Sequence, residues 1–143
     1  MAKEKIHFFS EEIDFKLKSK KDIRDWLQAV CLEENKKLVS VNIIFCDEAR
    51  LLEINQEYLN HDYHTDIITF DYAETPGTIE GELYISIDMV THNAELLKIS
   101  FESELNRVIV HGILHMIGYE DKSVQKEKEM RDKENYYLLM LNL

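Results

Sequence analysis

An α+β domain, with a small mixed sheet of about four strands packed with about five helices, is the architecture this chain predicts. Three observations predict it. Short apolar, β-branched runs alternate in irregular order with segments of helical periodicity, which suits a mixed sheet better than a regular βαβ array. The turn signal Pro76-Gly77 separates two strand candidates and makes them an antiparallel pair. Finally, 143 residues that are 45% hydrophobic and 31% charged, with four Gly and one Pro, make one globular domain over 1–143, with no repeat and no linker.

Each element follows from local chemistry. Ile6–Phe9 is a short strand, and Ile13–Leu17 alternates as a strand would. From Ser19 and Lys20 a helix runs to about Lys36, with Ile23, Trp26, Leu27, Val30 and Cys31 on one face. Ser40–Cys46 (SVNIIFC) is a buried strand. Asp47 caps a helix over Glu48–Tyr58, whose inward stripe is Leu51, Leu52 and Ile54. Asp66–Tyr72 and Gly81–Ile87 are the antiparallel pair. Asp88 caps a helix to about Lys98, and Ser103 begins another that runs to Met116. Lys122–Leu141 closes the chain as an amphipathic helix. Cys31 and Cys46 sit in apolar surroundings without CxxC spacing and read as reduced, buried thiols.

Charge is distributed unevenly. The net charge of −11 resides entirely in residues 38–97, which hold twelve acids against Arg50 alone. A general nucleic-acid coat protein needs basic surface to displace counterions, so the charge argues against that class. The start, MAKEKIHFF, lacks the apolar core of a signal peptide, and no uncharged run approaches a membrane span. A reducing, cytoplasmic setting is expected.

The chemistry concentrates in Ser103–Asp121. The helix from Leu105 to Met116 is apolar nearly all round and therefore internal, yet two histidines interrupt it. His111 and His115, at i and i+4, share one face one turn apart and can grip a single metal ion. Gly118 can end the helix and fold the chain back, which would return Asp121 to complete a His-His-Asp set. The offsets match the extended zincin pattern, except that Gly112 stands where metalloproteases keep their general-base Glu and Asp121 replaces a third His. Peptidase chemistry is thereby disfavoured.

HGILHMIGYED resembles the signature HGxLHLxGYDH of the YbeY family, bacterial metal-dependent endoribonucleases of rRNA maturation. Two further family segments are echoed in order, one over Asn55, Tyr58, Asp62, Thr65, Asp66, Thr69 and Phe70, the other over Gly81-Glu82-Leu83-Tyr84-Ile85-Ser86. The resemblance spans about residues 40–135. It implies a small mixed sheet packed with helices and one zinc ion held by His111, His115 and Asp121, the last standing where the family has its third His. It further implies RNA, the ribosome or its small subunit as partners, with no membrane and no DNA. Leu59 departs from the family, which usually has Arg after Tyr58, and leucine cannot clamp a phosphate.

The expected activity is metal-assisted hydrolysis of single-stranded RNA, in maturation of the small-subunit rRNA 3′ end and in ribosome quality control. An alternative is a ribosome-assembly factor whose metal is mainly structural; another is a metal-dependent hydrolase of a cationic or neutral substrate. Glu82, Asp66 and His64 are the candidate catalytic groups, although Glu82 and Asp66 also read as strand-opening residues. His61, like His64, sits in a polar loop, and His7 and His92 read as surface residues. For RNA contact, the basic run containing Lys18, Lys20, Lys21 and Arg24 is the candidate surface, with Lys122, Lys126 and Arg131 adding charge on the last helix.

Overall fold

The computed structural model describes residues 4–60 and 64–141. Their elements run β1 (Ile6–Ser10), α1 (Lys20–Glu33), β2 (Lys37–Cys46), α2 (Glu48–Leu59), β3 (Ile67–Asp71), β4 (Thr78–Ser86), α3 (Ile87–Leu97), α4 (Phe101–Ile117) and α5 (Val124–Leu141). The four strands form one mixed sheet in the order β1-β2-β4-β3. β1, β2 and β4 are parallel, and β3 returns antiparallel along β4, pairing Ile67 with Ile85 and Phe70 with Glu82.

Side-chain parity along these strands creates two cores. Ile79, Leu83 and Ile85 of β4 join Val41, Ile43 and Phe45 of β2 beneath α1, α4 and α5, in a core that includes Trp26, Ile109, Ile113 and Tyr137. The opposite parity carries Cys46, Ile68, Phe70 and Tyr84 to a smaller core under Leu51 and Ile54 of α2. Helix α4 approaches β3 and β4 closely because residue 112 has no side chain. A Cβ there would lie 2.7 Å from Leu83 Cδ2 and 2.8 Å from Ile67 Cδ1. The glycine at the expected general-base position is thus a packing device.

Five local expectations are corrected. Ile13–Leu17 does alternate, with Ile13, Phe15 and Leu17 half-buried against the main core, but it forms no strand. Glu12 turns the chain with a positive φ of 57°, and Ser10 Oγ donates to the Phe15 carbonyl, so the segment folds back as a loop. α1 stops at Glu33 because Asn35 adopts φ 59° and the chain enters β2 at Lys37. α2 buries Asn55 beside Leu51 and Ile54, whereas Leu52 is half-buried. Ser86, not Asp88, caps α3, its Oγ accepting from Met89 N at 3.1 Å. Asp88 instead accepts from Glu48 N at 2.9 Å, tying the starts of α2 and α3. The cap of α4 is likewise earlier than expected, at Ser100. The Asp47 cap of α2 forms as expected, accepting from Arg50 N at 2.8 Å, and both cysteines are free and buried. No helix among the described residues is long and apolar enough to cross a membrane.

Candidate metal centre

Helical spacing brings His111 and His115 together with ring centroids 4.6 Å apart and planes crossed at 84°. Crossed rings do not stack; they can direct two nitrogens at one point. The turn after α4 supplies the third group. Gly118, at φ 127°, ends the helix while its N–H bonds to the Leu114 and His115 carbonyls, and Tyr119 N bonds to Leu114 O at 3.0 Å. The chain thereby doubles back, and Asp121 Oδ2 comes within 3.5 Å of His111 Nε2 and 3.4 Å of His115 Nε2. All three ligand atoms lie within 4.8 Å of one another. Bonds of 2.0–2.2 Å to a tetrahedral zinc give ligand–ligand edges of about 3.3–3.6 Å, which both His–Asp distances match, so the donor set suits such an ion. Half-exposure of the histidines and fuller exposure of Asp121 leave room for a fourth, non-protein ligand.

The ring of His111 is oriented from behind. Its Nδ1 meets Glu134 Oε2 at 2.6 Å, which leaves Nε2 for the metal, as a carboxylate–histidine–metal relay requires. Glu134 is buried in α5, and Arg107 donates to its other oxygen at 2.9 Å and to Asn135 Oδ1 at 2.8 Å. Burial pushes the Glu134 carboxyl up, but the hydrogen bonds from His111 and Arg107 outweigh it and hold the carboxyl below its ordinary range. Burial likewise depresses His111, and its bond to Glu134 more than reverses the effect.

A cleft of about 560 Å³ opens beside the ligands, between α4 and α5. Asp66 and Glu104 line it together with His111 and Asp121. Burial raises the Asp66 carboxyl above its usual value, partly countered by the charge of His111. Glu104 is raised by burial and then by the charge of Asp66, and its Oε1 is buried without a hydrogen-bond partner among the described residues.

The other candidates are placed elsewhere. Glu82 has the parity of Phe70 and Tyr84, so it occupies the sheet face opposite α4, where it accepts from Tyr72 Oη at 2.9 Å. The sheet itself separates it from the histidines. His64 is exposed and pairs through Nδ1 with Glu48 Oε1 at 3.0 Å, and it does not line the cleft. His61 and Asp62 lie outside the described residues. In the basic run, Lys18 and Lys20 are exposed, whereas Lys21 pairs with Asp25 at 2.8 Å. Arg24 is structural: its Nε donates to Ile6 O at 2.9 Å and its guanidinium covers the Phe8 ring. This run shares no residue with the lining of the cleft. Sequence reasoning missed Glu134, Arg107 and Glu104. The signal for Glu134 was present: it falls in the buried stripe Met130, Glu134, Tyr137 of α5, where a carboxylate needs a partner.

Two histidines on an internal helix and an aspartate just after its terminal turn make a donor set of the kind metal-dependent hydrolases use. The profile described as Endoribonuclease YbeY matches residues 5–142, and the chain belongs to that family. An Endoribonuclease YbeY of Amoebophilus asiaticus is 48% identical over 139 residues, covering 97% of this chain and 95% of the relative. One from Cytophaga hutchinsonii is 44% identical over 135 residues, covering 94% of each. The solution structure of a Thermotoga maritima protein superposes with a TM-score of 0.67 at 31% identity, covering 95% of this chain and 88% of that one.

Proposed function

We propose that this chain is an endoribonuclease that hydrolyses single-stranded RNA phosphodiesters at the His111–His115–Asp121 centre, in the maturation of rRNA. The observation that carries the reading is the convergence of three ligand atoms from a helix and its terminal turn within 4.8 Å. Two imidazoles and one carboxylate suit zinc, which when bound supplies Lewis acidity and lowers the pKa of a coordinated water. The chain's own residues do the rest. Glu134 and Arg107 hold His111 in register. Asp66 is the one of the three catalytic candidates that lines the cleft beside His111, and we assign it the role of proton acceptor. The −11 charge held by residues 38–97 disfavours RNA on the surface they form outside the cleft, and the small ribosomal subunit in the cytoplasm is the proposed partner and setting.

The test pairs metal analysis of the purified protein with cleavage of single-stranded RNA. Wild type is expected to hold one zinc per chain and to cleave, and His115→Ala to lose both properties. Stoichiometric metal with cleavage unaffected by His115→Ala would overturn the assignment of the site, and a folded chain that takes up no zinc would overturn the metal itself.

A further inference from the structure

The cations of α5 are mostly engaged. Lys126 pairs with Glu120 at 2.6 Å, Lys128 with Asp132 at 3.1 Å and Lys133 with Glu34 at 3.0 Å. Arg107 of α4, across the cleft, is spent on Glu134 and Asn135. Arg131 differs from all of these. Its side chain lines the cleft that holds His111 and Asp121, and it makes no ion pair or hydrogen bond among the described residues.

The cleft is lined by charges of both signs. Asp66 and Glu104 make one part of it acidic, and Glu104 Oε1 has no hydrogen-bond partner there, so a phosphate is repelled from that part. Arg131 and Lys128 line it from α5, where Glu127 and the already paired Glu134 line it too. Of the two cations, only the guanidinium of Arg131 is uncommitted, and it presents a planar fork suited to phosphate oxygens. Leu59 at the end of α2 contributes no charge.

We propose that Arg131 is the phosphate-positioning residue of this enzyme, binding a backbone phosphate of single-stranded RNA beside the His111–His115–Asp121 centre. The inference rests on the RNA-cleaving reading of that centre and adds to it the cation that orients the substrate. Neither the basic run at Lys18–Arg24 nor position 59 is needed for this contact.

The experiment measures anisotropy of a fluorescent single-stranded RNA oligonucleotide, and its cleavage, with zinc-loaded full-length protein. One phosphate contact on a single strand contributes about 0.7 to the slope of log K against log salt. Arg131→Gln is expected to weaken binding and raise KM about tenfold, to flatten the salt slope by about 0.7, and to leave kcat, zinc content and Tm near wild type. Arg131→Lys keeps the charge and is expected to retain the salt slope while recovering part of the affinity. A wild-type KM and salt slope in Arg131→Gln would overturn the proposal, as would loss of zinc or of folding in both variants. Binding is read separately from cleavage: RNA bound through Arg131 but not cut would sink the nuclease reading alone. RNA neither bound nor cut would sink both.

Discussion

The two faces of one sheet have been put to different uses. On the α4 side, polar groups converge: Glu134 is held by Arg107 and in turn holds His111, and Asp66 and Glu104 share a cleft with that histidine. On the α2 side, Glu82 accepts a hydrogen bond from the hydroxyl of exposed Tyr72, beside Phe70 and Tyr84. Adjacent residues of β3 and β4 therefore belong to different chemical worlds, because strand side chains alternate. A carboxylate close in sequence to a site is separated from it whenever its parity is wrong. Glu82 follows Gly81 and precedes Leu83, and Leu83 is the residue α4 packs upon.

The sharpest way to break this contrast is to remove the support on the α4 side. Glu134→Gln leaves the shape but weakens the hold on His111 Nδ1, and zinc affinity, measured by chelator competition, is expected to fall about 10- to 100-fold. Gly112→Ala forces a methyl against Leu83 and Ile67, and thermal or urea unfolding should report a loss of about 1–3 kcal/mol.

A smaller effect distinguishes the clamp at Glu34, which accepts from Tyr119 Oη at 2.8 Å, from Lys133 Nζ at 3.0 Å and from Tyr137 Oη. Burial raises this carboxyl, but the bonds from Tyr137, Tyr119 and Lys133 bring it below its usual 4.5. A depressed carboxylate stabilises the fold above its unfolded value and loses that contribution as pH falls through the folded one. Glu34→Gln should accordingly lower Tm at pH 7, and the gap from wild type should narrow below about pH 4.5. The smallest effect belongs to the opposite face. Glu82→Gln is expected to leave kcat/KM and zinc content unchanged, and a large loss of activity would break the division between the faces.

Much of the architecture was legible because it is local. The stripe Ile23, Trp26, Leu27, Val30 and Cys31 of α1 is buried as its periodicity required, and the strands at β2, β3 and β4 follow β-branched runs. The two histidines and the glycine turn were legible for the same reason. What escaped depends on distance in the chain. Glu134 lies 23 residues from His111, and nothing in either segment alone says that they meet. Ile13–Leu17 misled because alternate burial is also what a loop lying over a core produces, and only a neighbouring ladder distinguishes the two. Arg24 looked like surface charge, yet β1 consumes it.

The short turn that carries Asp121 is clasped from outside by Glu34 through Tyr119, while Lys126 secures Glu120 beside it. The placement of Asp121 is thus a product of assembly. A peptide spanning the histidines and Asp121 contains all three candidate ligands but lacks Glu34, which follows α1, and Glu134 of α5. Such a fragment is expected to bind zinc far more weakly than the folded chain, since it must order the turn at the moment of binding. On the proposed metal-binding reading, loading becomes a checkpoint on folding, because the three groups are fixed only after Glu34 and Glu134 have closed on this region from the first helix and the last.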